Sequence, residues 1–248
     1  MGTSLFKSLK NNSTLSTIDI SVNSLADACA SELAEVLVDN TSLNDVYISG
    51  EYLGDAGVAS IAKALMVNTT VRTLEIIGRN MTAEAGRALG EMLRHNTTIT
   101  CLSLCDGNIG DSGAQGIASG LSQNTTLEKI QIEYSCIGAT GVSALAKVIQ
   151  NATHLDLSRN IIGTKGAKAI AKVIKNSCKL KYLRIDCCNI DVLGVRDLAK
   201  ALSKNKNLEE LSVACAGIDD EGMCELARSV AKNKSLQVLT ITYNNISE

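Results

Sequence analysis

The sequence predicts an α/β solenoid, a horseshoe with an inner parallel β-sheet and outer helices, and three features of its 248 residues lead there. First, one pattern recurs nine times. Its opening position falls at Leu15, Leu43, Val71, Ile99, Leu127, Ala152, Leu180, Leu208 and Leu236, with every step 28 residues except the 25 from Leu127 to Ala152. Second, each copy changes its apolar period. Around Asn160, Leu155 and Leu157 alternate as in a strand, whereas Ile162, Ala167, Ile170 and Ile174 recur as on one helix face. Third, the chain has 45% hydrophobic residues but only one Phe, five Tyr and no Trp or Pro. The core is therefore aliphatic, and aliphatic side chains interdigitate layer upon layer where large rings would force neighbours apart. Strands pack ~4.8 Å apart and helices ~10 Å apart, so stacking strand on strand and helix on helix curves the array with the sheet inside.

Taken in order, Leu5 and Leu9 fall at helix positions of a preceding repeat, so the chain is expected to open on a half-repeat helix. The inward strand positions run from Ile18 and Ile20 to Leu239 and Ile241, and all eighteen are apolar. A turn residue follows, from Leu25 to Ile246, and then helical pairs such as Ile61/Leu65, Leu89/Leu93, Ile117/Leu121 and Leu198/Leu202. Gly57, Gly113, Gly141, Gly166, Gly194 and Gly222 share one position near the helix start, where a side chain would keep the helix from packing close to the strand. Asn40, Asn68, Asn96, Asn124, Asn205 and Asn233 fall just past the helices and are expected in the left-handed C-cap conformation. That cap also accounts for triplets such as Asn68-Thr69-Thr70, which resemble glycosylation acceptors. The short step removes three residues ahead of the sixth strand. Residues Lys147 to Asn151 should then form a short or distorted helix end beneath a continuous sheet, because keeping Leu155, Leu157, Ile170 and Ile174 buried outweighs fraying one turn. The array is expected to run as one domain over 1–248, closing on a half-repeat strand at Ile246-Ser247-Glu248.

The recurring string L-x-x-L-x-L-x-x-N-x-I-G-x-x-G-x-x-x-L-A-x-x-L resembles the ribonuclease-inhibitor-like class of leucine-rich repeats over essentially the whole chain. Its turn Asn is present at Asn23, Asn160 and Asn244, while Glu51, Arg79, Gly107, Ser135, Cys188 and Ala216 stand there in other copies, so turn geometry should vary. The resemblance implies a non-enzymatic scaffold that grips, and can thereby inhibit, a folded protein on its concave sheet. It also allows a regulator of a small GTPase, or a ligand-sensing fragment of a larger receptor or bacterial effector.

Composition excludes several other classes. Net charge is −2 and mean hydropathy +0.12, which gives no global electrostatic case for nucleic acid. No apolar run approaches the ~18 residues of a membrane span, and MGTSLFKSLKNN lacks a signal-peptide apolar region. A cytoplasmic protein is expected. The nine scattered cysteines then read as reduced thiols. No phosphate-binding loop is present, and Cys187 with Cys215 lacks the two further ligands zinc requires. His95 and His154, the two histidines, have no thiol in reach to activate. No catalytic residue, cofactor, metal or small-molecule substrate is expected.

Residues between the inward strand positions face the concave side. Tyr and Arg anchor protein interfaces, and the tyrosines fall on this face or its rim. The expected partner-binding residues are Tyr47, Lys129, Glu133, Tyr134, Asp156, Arg159, Tyr182, Arg184, Asp186 and Tyr243, densest in repeats five to seven. Charge divides unevenly along the chain: residues 1–124 hold 7 basic and 13 acidic side chains (−6), and 125–248 hold 17 and 13 (+4). Lys165, Lys168, Lys172 and Lys175 read as a solvated convex helix face.

Overall fold

The computed structural model describes residues 2–247; Met1 and Glu248, the ends of the expected array, lie outside them. Helix α1 (Gly2–Leu9) leads into strand β1 (Thr17–Ala26), and eight strand–helix alternations follow. These are α2 (Asp27–Asp39), β2 (Asp45–Tyr52), α3 (Asp55–Leu65), β3 (Thr73–Ile77), α4 (Ala83–His95), β4 (Cys101–Cys105), α5 (Gly110–Leu121) and β5 (Lys129–Glu133). Then come α6 (Ala139–Leu145), β6 (His154–Asp156), α7 (Gly163–Asn176), β7 (Tyr182–Arg184), α8 (Val192–Leu202), β8 (Glu210–Ser212), α9 (Asp220–Val230) and β9 (Val238–Thr240). The strands form one open parallel sheet in sequence order, the architecture of a leucine-rich repeat horseshoe. Register follows the repeat. Leu74 pairs with Leu102 and Leu102 with Ile130, and across the short step Ile130 pairs with Leu155.

Leu74, Ile76, Leu102, Leu104, Leu183 and Leu211 are all buried between sheet and helices, each worth ~1.5–3 kcal/mol. Phe6 and Leu9 of α1 are buried at the N-terminal end. At the other end Leu239 and Ile241 are only partly covered.

The asparagines past the helices do not take the expected left-handed cap. Asn40 and Asn96 are extended, with φ −73° and −78°. Their side chains instead tie layers together. Asn96 Nδ2 donates to the Leu65 and Asn68 carbonyls of the layer before, while its Oδ1 accepts from the Thr98 and Ile99 amides ahead of β4. Asn68, Asn124 and Asn233 repeat the arrangement. An extended backbone wins because it lets one amide satisfy donors and acceptors on two layers at once, and buried backbone groups must be paired. At the seventh repeat Ser177 substitutes, its hydroxyl accepting from Lys179 and Leu180 amides.

A second ladder had no counterpart in the sequence reading. Asp27, Asp55 and Asp111, each in the first turn of its own helix, cap the following one. Asp55 accepts from the Thr82 and Ala85 amides (2.7 and 3.0 Å), and Asp111 from those of Gly138 and Gly141 (2.7 and 2.8 Å). A carboxylate there satisfies orphan helix donors and complements the helix dipole.

Helix α6 ends at Leu145 and β5–β6 pairing is unbroken, the outcome expected for the short step. Turn geometry varies as expected. Where Ser135, Cys188 and Ala216 replace the turn Asn, the next residues Cys136, Asn189 and Gly217 are left-handed, with φ 56°, 51° and 74°. Asn160, buried, instead accepts from the Ser135 and Ile137 amides and donates to the Ile132 and Leu157 carbonyls.

Candidate functional site

The concave face is built by outward-pointing strand residues whose positions follow from the register. At its centre lies Arg184 on β7. Its Nε is 3.7 Å from Asp156 on β6 and its Nη2 is 3.2 Å from Asp186 just beyond β7. Asp156 is buried and accepts from the Ser158 amide at 2.9 Å. Asp186 accepts from Ser212 Oγ (2.6 Å) and the Ala214 amide (2.8 Å), so β8 holds the carboxylate that holds the arginine. The guanidinium side chain is nonetheless 62% exposed. It is fixed from below while its remaining donors face the concavity, and such a fork loses little freedom when it meets a partner.

Beside it Tyr182 stacks on His154 across β6 and β7, with ring centroids 4.0 Å apart at 17°. Thr153 Oγ1 lies 2.8 Å from His154 Nδ1 and 3.2 Å from the Glu128 carbonyl oxygen, tying the ring to the edge of β6. Burial, and then the Lys129 ammonium paired opposite on β5, hold the imidazole below its usual range. Glu133 is shifted the other way. Burial and then the Asp156 carboxylate raise it, with Arg184 and Arg159 opposing.

A depression of about 430 Å³ opens between these residues and the next strands, lined by His154, Tyr182, Arg184 and Asp186 with Glu210, Ser212, Val238 and Thr240. The structure thus brings together Asp156, Tyr182, Arg184 and Asp186, with Lys129 and Glu133 one strand away. Tyr134 and Arg159 stand instead on the rim, both left-handed at φ 47° and 59°, beyond β5 and β6. Cys187, Cys215 and Tyr243 continue that row one layer at a time, with φ 55°, 50° and 58°. Tyr47 is remote, on β2 between Asp19 and Glu75. Sequence reasoning did not place Glu210, Ser212, Val238 and Thr240 in the site. Their strand parity put them on the face, but the hollow lies where Ser212 and Ala214 are small beside Arg184 and Asp186, a relation between layers.

The described residues include no cluster of three or more metal-ligating side chains and no helix long and apolar enough to cross a membrane. Each of the nine cysteines is a free thiol.

The parallel sheet in sequence order and the helix that follows each strand give the chain the fold of a leucine-rich repeat horseshoe. A leucine-rich repeat family model matches residues 95–118, 123–146, 153–171, 176–199 and 204–227. Among solved structures the chain is similar to leiomodin-1 actin-binding site 2, with TM-score 0.53 and 20% identity over 60% of this chain and 87% of that one. It is also similar to the tropomodulin C-terminal domain of Caenorhabditis elegans, with TM-score 0.50 and 11% identity over 60% and 92%. Both likenesses are of fold. No curated protein matches it in sequence.

Proposed function

We propose that the chain is a non-enzymatic, cytoplasmic binding scaffold of the ribonuclease-inhibitor-like type that grips a folded protein on its concave sheet. The observation that carries this reading is the Arg184 guanidinium, anchored by Asp156 and Asp186 yet open to solvent, beside the stacked Tyr182. Pre-positioned Arg and Tyr at the middle of a surface are the side chains on which protein interfaces concentrate their energy. Tyr134, Arg159 and Tyr243 supply a rim, Lys129 and Glu133 a flank, and Tyr47 a distant contact for a partner large enough to span the arc.

The mixed charge argues against a strongly basic enzyme as the target, since Lys129, Arg159 and Arg184 would repel it. One fold neighbour is an actin-binding site, so actin is the first defined partner to offer. The test is recovery of partners from a cell lysate, and of purified actin, by wild type and by a variant with Tyr134, Tyr182 and Arg184 changed to Ala. Both proteins are first shown to be folded by circular dichroism. The variant is expected to lose the partner; equal recovery would sink the proposed site.

A further inference from the structure

Opposite the sheet, the shortened repeat leaves a mark on the convex face. Helix α6 stops at Leu145 after 7 residues, against 12 in α5 and 14 in α7, so this layer is short of helix on the convex side. The result is a groove of about 680 Å³ between α6 and α7. Its floor is apolar, made by Ala146 and Ile149 on one side and Ala169 and Val173 on the other. Its walls carry Lys147 from the α6 side and Lys172 and Lys179 from the α7 side.

The charge around this groove is one-sided. Helices α2, α3, α4, α5, α8 and α9 each carry at least one carboxylate, whereas the adjacent α6 and α7, like the short α1, carry none. From Tyr134 to Ile185 the single acidic residue is Asp156, which is buried beneath the other face. Lys147, Lys165, Lys168, Lys172, Lys175 and Lys179 are all exposed, and among the described residues none forms an ion pair; Lys179 donates to Asn151 Oδ1 at 2.7 Å. Four of these lysines lie on α7, with Lys147 just past α6 and Lys179 just past α7, and like charges this close repel one another.

We infer that this groove is a second binding site, and that its occupant is an acidic peptide segment with apolar side chains. Apolar groups would enter the floor while carboxylates meet lysines on both walls. The shape decides against an anionic membrane, which needs apolar residues protruding from the lysine face, whereas here they lie at the bottom of a recess. A single-stranded nucleic acid would want aromatic side chains to stack its bases, and the groove has none, while a duplex held through its phosphates would leave the apolar lining unused. The site is independent of the concave surface and survives failure of that reading.

The experiment uses the full chain and fluorescein-labelled synthetic peptides at about 0.15 M salt, where the Debye length is ~8 Å and diffuse attraction is screened. One peptide places Leu on a helical face among Glu; another is all Glu at equal charge. The Glu/Leu peptide is expected to bind at least tenfold more tightly than the all-Glu peptide. A double variant, K147E with K172E, should lose at least tenfold, while K204E with K206E, and Y182A with R184A, should bind like wild type. A variant with three residues inserted between Gln150 and Asn151 keeps every lysine and closes the groove, and it too should lose binding. Equal binding of the two peptides, undiminished binding by K147E/K172E, or binding of anionic lipid vesicles with none of the peptide would overturn the proposal.

Discussion

Asp55 illustrates how single residues hold this molecule together across layers rather than within them. It accepts from the Thr82 and Ala85 amides and from the Thr82 hydroxyl, all at the start of the next helix. Replacing it by Ala removes the interlayer part of the α4 cap and leaves Thr82 Oγ1 on the Glu84 amide, and a loss of about 1–2 kcal/mol is expected in urea unfolding; a loss below about 0.5 kcal/mol would contradict the interlayer cap. His154 provides a second test at this scale. With its imidazole held below the ordinary 6.5 by burial and by Lys129, its proton resonances should titrate below that value, and Lys129→Met should move the midpoint up. The sign follows: the unfolded chain binds the proton more readily, so His154 favours folding above pH 6.5 and that contribution is lost as pH falls through the folded midpoint. A midpoint at or above 6.5 would contradict the described environment. The thiols divide by burial. Burial raises Cys188 to about 12 and Cys105 to about 11, whereas Cys136, Cys178, Cys215 and Cys224 are exposed. Alkylation of the native protein should spare Cys188 longest, and thiol titration of the denatured, unreduced protein should count close to nine; a count near one would argue for disulfides and against a cytoplasmic site.

Among the elements, α4 and α5 approach backbone to backbone at their glycines. A Cβ on Gly90 would meet the Gly116 carbonyl oxygen at 2.0 Å, and one on Gly120 the Gly90 oxygen at 1.9 Å. Alanine normally favours a helix over glycine by about 1 kcal/mol, but here the added methyl meets backbone that cannot swing aside. Gly90→Ala should destabilise by about 1–3 kcal/mol, and a neutral or stabilised variant would show the helices free to separate. Strands and helices were legible because their apolar letters follow periods of two and 3.6, and the short step was legible because Leu155 and Ile170 stay in phase around it. The asparagines were legible as a position and not as a conformation, since an amide past a helix suits a left-handed cap as well as a side-chain bridge. Only the neighbouring layer, which offers Leu65 and Asn68 carbonyls to Asn96, decides between them. The aspartate caps did leave a signal: Asp27, Asp55 and Asp111 are spaced by multiples of 28 residues, and Asp220 joins them once the 25-residue step is counted.

For the whole molecule, stacking makes each face a readout of one repeat position, so the sequence could name the concave residues without placing the hollow among them. Tyr47 and Tyr182 share a face yet stand five strands apart, and the depression lies where small residues at Ser212 and Ala214 adjoin Arg184 and Asp186. The central claim is that a folded partner covers this inner surface. Carboxyl footprinting of the purified complex, with the modified residues located by mass spectrometry, tests it most directly. The account predicts that Glu133, Asp186 and Glu210 are protected on binding while Glu84, Glu91 and Glu225 on the outer helices react as in the free protein. Protection of the outer carboxylates with the inner ones unchanged would contradict it.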